Sequence, residues 1–144
     1  MLITTSRKPS DQVKAMARTL AKGLGAHYHN RGKAGVEAVL TEAEKKGASR
    51  VLFLWARHGN PDRIVVFDAE KGWLKPELAI RGFVFERAPF RAQGCDFSAT
   101  DASGARFAAL FEAKPGPNQI LLSGQKLELY SGGVLRLELR FKGD

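Results

Sequence analysis

The sequence predicts an α/β domain, mixing helices with sheet in both halves and running parallel strands in the N-terminal half. Three observations predict it. Two segments with apolar residues at helical spacing are interleaved with short β-favouring runs. The run Val51-Leu52-Phe53-Leu54-Trp55 is continuously apolar, as expected of a strand covered on both faces. Residues 134–141 mostly alternate apolar with charged, as a half-exposed antiparallel strand does.

In chain order, Leu2-Ile3-Thr4 is a short first strand. Pro9 and Ser10 break it, and Ser10 with Asp11 offers an N-cap and a favourable charge at a helix start. Val13, Ala17, Leu20, Ala21 and Leu24 then define one apolar helical face, and Gly25 stops the helix. Lys14, Arg18 and Lys22 recur on another face, the ordinary pattern of a solvated side. Ala26-His27-Tyr28-His29 reads as a second strand, interrupted by Asn30-Arg31-Gly32-Lys33. A second helix is expected over about 35–46, burying Val36, Val39, Leu40 and Ala43, with Gly47 at its end. The strand at 51–55 follows, then a turn over 57–62 and a partner strand at 64–67.

Beyond Gly72 the order continues with a strand at 78–87, a polar loop at 92–103, and a helix capped by Ser103 over Arg106–Phe111. Pro115-Gly116-Pro117 ends that helix. Strands at 119–122, 126–130 and 134–141 close the chain, the last two joined by Gly132-Gly133 as a hairpin turn. The expected organisation is one domain over 1–144, with halves at about 1–72 and 73–144. No convincing sequence identity links the halves.

A chain of 144 residues with 44% hydrophobic content can bury a core, so global disorder is excluded. The net charge is +8, and it is unevenly placed. Residues 1–35 hold seven Lys/Arg and one acid, a balance of +6, which leaves +2 for the remaining 109 residues. A localised basic region points to a polyanionic partner. The single Cys95 permits no intrachain disulfide and suits a reducing compartment. No leader peptide and no apolar run of about 20 residues is visible, so a cytoplasmic, monomeric protein without a membrane partner is expected.

The two crossovers should make the first three strands parallel, because a strand–helix–strand unit joins parallel strands. Their carboxyl ends then share one sheet edge, where open α/β sheets bind ligands. Three loops would meet there: Thr5-Ser6-Arg7-Lys8-Pro9-Ser10, Asn30-Arg31-Gly32-Lys33 and Arg57-His58-Gly59-Asn60-Pro61. Arg7, Lys8, Arg31, Lys33, Arg57 and His58 supply positive charge or donors. Thr5, Ser6 and Asn30 add neutral donors, Asn60 lies in the third loop, and Gly32 and Gly59 admit close backbone approach. Two helix N-termini add free N–H groups. Such an edge suits phosphate, and its breadth favours the backbone of an RNA, with the Lys14-Arg18-Lys22 stripe as an extension.

Other chemistry finds little support. No phosphate-binding P-loop occurs, and Gly23-Leu24-Gly25 closes a helix without opening one. His27 and His29 share a strand face but lack a third ligand at zinc spacing, so no metal is expected. His58 has no identifiable acid–base partner. Tyr28, Trp55 and Trp73 suit core packing better than base stacking. Catalytic residues and cofactors are therefore expected to be absent.

The motifs Leu2-Ile3-Thr4-Thr5-Ser6-Arg7-Lys8-Pro9-Ser10, Asn30-Arg31-Gly32-Lys33 and Arg57-His58-Gly59-Asn60-Pro61, in that order, resemble those of Brix-domain ribosome-biogenesis proteins. The resemblance covers residues 1–68 best, is closest to the short archaeal type related to the processome member, and departs at Asp68-Ala69-Glu70-Lys71-Gly72. It implies two similar α/β halves, each akin to the anticodon-binding domain of class II aminoacyl-tRNA synthetases. It implies binding to a ribosomal RNA precursor or guide RNA, help in processing or folding it, and contact with ribosome-assembly proteins. It carries RNA contact to Arg7, Lys8, Arg31 and Lys33, and brings no catalytic residue. The alternatives are an enzyme acting on a phosphorylated substrate or RNA end, and a protein-binding scaffold using the C-terminal strands.

Overall fold

The computed structural model describes residues 1–143. Strand β1 (Leu2–Thr5) is buried along its whole length. Helix α1 (Asp11–Leu24) starts where the Ser10 hydroxyl accepts the Val13 N–H at 3.2 Å, which satisfies one of the orphan donors of a helix start. It ends at Gly25, in the left-handed conformation (φ 68°) that favours glycine. Strand β2 (His27–Tyr28) is only two residues long. Helix α2 (Val36–Lys45) begins on Gly35 with no side-chain cap. Strands β3 (Arg50–Arg57) and β4 (Asn60–Asp68) form a hairpin around His58 (φ 53°) and Gly59 (φ 78°), the two positive φ values of a turn that matches strand twist. Short β5 (Gly72–Trp73) pairs with β4.

The second half contains β6 (Leu78–Phe85), β7 (Cys95–Ala99), α3 (Ala102–Ala108), β8 (Asn118–Leu122), β9 (Lys126–Ser131) and β10 (Val134–Phe141). Apart from β5, the strands lie in the order β2-β1-β3-β4-β6-β10-β9-β8-β7 in one mixed sheet. β1 is parallel to β2 and β3, as the crossovers require, and β4 is antiparallel to β3 and β6. The other side has the same logic: β7 is parallel to β8 through the α3 crossover, and β9 and β10 follow antiparallel. The two series meet where β6 and β10 pair antiparallel. The carboxyl ends of β7 and β8 therefore point to the edge opposite those of β1 and β3.

One face of the sheet carries α1 and α3 over a core that includes Ile3, Leu52, Leu54, Ile120, Leu129 and Leu139, with Met16, Leu20 and Phe107 from the helices. Each of these large apolar side chains contributes about 1.5–3 kcal/mol on leaving water. On the other face α2 sets Val39 and Ala43 against Leu2, Val51, Phe53 and Val65. Strand β3 is thus apolar on both faces, as its unbroken hydrophobic run implies. Helix α1 also joins the halves. Its terminal carbonyls, Lys22 O and Leu24 O, accept backbone N–H groups from Gly94 (3.0 Å) and Lys114 (2.9 Å). A Cβ on Gly23 would lie 2.7 Å from a methyl of Leu129.

Several boundaries differ from expectation. The polar stretch 92–103 contains β7, which pairs only with β8, so a strand with apolar residues on one face suffices. The cap of α3 is Asp101, whose carboxylate accepts the Gly104 N–H; Ser103 lies inside the helix. β4 starts at Asn60, because ladder pairing continues to the turn beyond the apolar residues. β6 stops at Phe85, and β2 is shorter than residues 26–29.

Candidate nucleic-acid interface

The three basic loops meet, and hydrogen bonds hold them together. Loop one leaves β1, and its Ser6 N–H reaches Leu54 O at 3.3 Å while Ser6 Oγ accepts the Ala56 N–H at 3.0 Å. Ser10, besides capping α1, donates its hydroxyl to Gly59 O at 2.8 Å, which fastens the helix start to the β3–β4 turn. Thr4 Oγ1 donates to His29 O at 2.7 Å, and the His29 N–H bonds Ile3 O, anchoring loop two beside β1.

Arg31 completes the assembly. The residue is 5% exposed. Nη1 donates to Thr5 O at 3.1 Å and Nε to Ala34 O at 2.9 Å. The guanidinium lies over the rings of Phe53 (5.6 Å) and Trp55 (5.3 Å), which themselves stack at 5.7 Å. Burial first, then the charge of nearby Arg7, pushes its pKa below the usual arginine value. Arg31 thus serves inside the edge as a brace between loops one and two. Where the sequence reading expects exposed donors, Nε and Nη1 point inward. Thr5 and Ser6, expected as free donors, are likewise buried, and Thr5 Oγ1 donates to Ser6 O.

The exposed positions are Arg7, Lys8, Asn30, Gly32, Lys33, Arg57, His58 and Asn60. Arg7 lies over the start of α2, where one of its Nη atoms comes 3.2 Å from the place a Gly35 Cβ would occupy. Its guanidinium therefore flanks an uncapped helix N-terminus. Lys8 adopts φ 48°, which projects the loop outward at this point. Arg57 borders a groove with Trp55, Asp62 and Arg63, and there Arg63 is paired to Asp62 (3.3 Å) and Glu77 (3.1 Å). The field near Arg57 is accordingly more balanced than that around Arg7 and Lys33. The α1 terminus spends one N–H on Ser10, whereas α2 keeps its own.

The remaining candidates sort as follows. Trp73 is 51% exposed against Phe53 and Phe67, more open than the core role expected of it. Tyr28 lies under Arg18 at 5.2 Å, and burial of its hydroxyl raises its pKa. Burial, then Asp96, pushes the Cys95 thiol up to about 11, so it is not a thiolate at neutral pH. Among the described residues no cluster of three potential metal ligands occurs, and no helix is long and apolar enough to cross a membrane. Sequence reasoning missed a second cationic patch, in which Arg87 on the β6–β7 connection faces Arg18 and Lys22 of α1. The run Arg87-Ala88-Pro89-Phe90-Arg91 was its signal.

No family model matches the chain. Over 106 residues it is 36% identical to a "Probable Brix domain-containing ribosomal biogenesis protein" of Methanothermobacter thermautotrophicus, covering 65% of this chain and 66% of that relative. A relative of the same description from Aeropyrum pernix is 35% identical over 69 residues, or 47% of this chain and 38% of that one. The matches thus span less than two thirds of either relative. Among solved structures, the fold is similar to a probable ribosomal biogenesis protein from Aeropyrum pernix, with TM-score 0.75 and 22% identity over 99% of this chain and 95% of that one. It is also similar to Mil, an archaeal Imp4-like protein, with TM-score 0.74 and 25% identity over 99% and 97% of the two chains.

Proposed function

The chain belongs to the Brix-domain family, and on that premise we propose that it is a ribosome-biogenesis factor that binds precursor ribosomal RNA and assists its processing or folding without chemistry of its own. One observation carries the reading: hydrogen bonds through Ser6, Ser10, Thr4 and Arg31 gather three separate loops into one edge. Arg7, Lys8, Lys33 and Arg57 are exposed on these loops. Such cations neutralise phosphates and release counterions, which gives affinity without base sequence. The edge is broad and open, which suits an extended backbone better than a small phosphorylated molecule. In this reading His58 and Asn60, exposed at the turn, contact sugar or base.

In this reading the domain spans 1–144, its two halves act as a pair of anticodon-binding-like units, and the protein is a cytoplasmic monomer that meets assembly proteins on the RNA. The test is ultraviolet crosslinking in the native cell, followed by sequencing of attached RNA. Precursor ribosomal RNA should be enriched over the background of an unrelated basic protein of similar charge. Equal recovery from all abundant RNAs would contradict the proposal.

A further inference from the structure

A second cationic site lies away from the loop edge, where α1 of the first half faces the β6–β7 connection of the second. The cleft is lined by Arg18, Lys22, Arg87, Pro89, Phe85 and Phe90, with a volume of about 290 Å³. Its walls are fixed. Lys22 Nζ donates to Phe90 O at 2.6 Å and lies 5.2 Å over the Phe90 ring, and Arg136 lies over the same ring at 5.5 Å. Gly94, at the end of the connection, bonds Lys22 O. Arg18 and Arg87 are exposed, and among the described residues neither is in an ion pair. The acid on this connection, Glu86, spends Oε1 on the Ala88 N–H at 3.3 Å. The cleft therefore sets the exposed guanidinium of Arg87, and that of Arg18 over the Tyr28 ring, beside Phe85 and Phe90, the chemistry of a stacked base and its phosphates.

Its position is informative. Lys14, Arg18 and Lys22 are one turn apart along α1, so their charges step by about 6 Å from the Ser10 end toward the cleft. That is close to the repeat of an extended single strand. The Ser10 end is itself fastened to the loop edge through Gly59. We infer that the cleft between α1 and residues 85–90 takes an unpaired nucleotide of the bound RNA, with the strand running along α1 from the loop edge. The inference rests on the RNA-binding reading above and deepens it: the partner must present single-stranded RNA, because only an unpaired base is free to stack in a cleft of about 290 Å³.

The probes are a short oligouridine and a duplex RNA of equal length, with binding followed by fluorescence anisotropy across a salt series. Arg18→Ala with Arg87→Ala removes two exposed side chains and leaves the fold intact, to be verified by an unchanged melting midpoint. This variant should bind the oligouridine about tenfold or more weakly, with a salt slope lower by about two, while duplex affinity stays within about twofold. Arg7→Ala with Lys33→Ala should weaken both probes. In a 4-thiouridine version of the oligomer, crosslinks should map to residues 85–90. Wild-type binding of oligouridine by the Arg18/Arg87 variant would overturn the cleft and leave the loop edge standing, as would crosslinks only outside residues 85–90. Failure of the wild-type protein to bind either RNA would overturn both.

Discussion

The two halves solve the same local problem with opposite electrostatics. In each, a parallel strand pair is bridged by a helix, and the cap of that helix also holds a hairpin turn of the same half, β3–β4 in the first and β8–β9 in the second. In the N-terminal half the cap is Ser10, which accepts from Val13 and donates to Gly59 O. In the C-terminal half it is Asp101, which accepts the N–H groups of Gly104 (2.6 Å) and Gly124 (3.0 Å). A hydroxyl adds no charge, and a carboxylate adds a negative one. Around Ser10 lie Arg7, Lys8 and Arg57; beside Asp101 lie Thr100, Ala102, Ser103 and Gly124. Shared topology thus leaves the choice of ligand open, and side chains at the strand ends make it. The C-terminal edge is closely packed, and the N-terminal edge is exposed and cationic.

The largest expected effect is on the packed half. A Cβ on Gly104 would come within 2.2 Å of Leu122 O, a backbone atom that cannot swing away. Gly104→Ala should cost about 3 kcal/mol or more in a urea denaturation series. RNA binding by the fraction that stays folded should keep its salt slope. A destabilisation below about 0.5 kcal/mol would show that the C-terminal edge is loose and the contrast between halves overstated.

Next is Arg31→Ala, which leaves Thr5 O and Ala34 O without their charged donor and opens space beside Phe53 and Trp55. It should cost about 2–3 kcal/mol, and should increase amide hydrogen exchange in loops one and two more than in the C-terminal half. An exchange pattern unchanged in those loops would remove its bracing role. A smaller effect separates the caps. Asp101→Ala should cost about 2 kcal/mol and Ser10→Ala about 1 kcal/mol, since each side chain holds two backbone groups but only those on the carboxylate are bonded to a charge. Equal costs would argue that the two caps are interchangeable.

Acid should weaken a link between the halves. The Arg50 hydrogen bond, followed by the N–H groups of Glu70 and Lys71, lowers the Asp68 pKa from 3.8 to about 2. Arg50 also donates to Ala109 O just beyond α3. With the folded pKa depressed, this stabilisation is present above about pH 4 and is lost as pH falls toward 2. Asp68→Asn should therefore lower the melting midpoint at pH 7 and narrow its gap to wild type as pH falls through that window. A gap independent of pH would detach Asp68 from the acid response.

How much was legible follows from the same contrast. The parallel N-terminal strands, and hence the meeting of three loops, followed from helical spacing in α1 and α2 and from the apolar run of β3. These signals are strong because both faces of that sheet are covered. Strand β7 escaped because it is an edge strand, where the alternation of Cys95 and Phe97 with Asp96 and Ser98 is too short to outweigh its polar neighbours. The burial of Arg31 was invisible for a different reason. An arginine reads as surface in composition, and only the fold brings Thr5 O and the Phe53–Trp55 stack beneath it. The cleft at Arg87 needed both halves in place, since α1 supplies one wall and the β6–β7 connection the other.

The central claim is that exposed cations on the N-terminal loops act together as one anion-binding edge. The direct measurement is RNA affinity against salt for wild type and for Arg7→Ala, Lys33→Ala, Arg57→Ala combined. The slope should fall by about three, with the unfolding free energy changed by less than about 0.5 kcal/mol per site. An unchanged slope with wild-type affinity would contradict the claim.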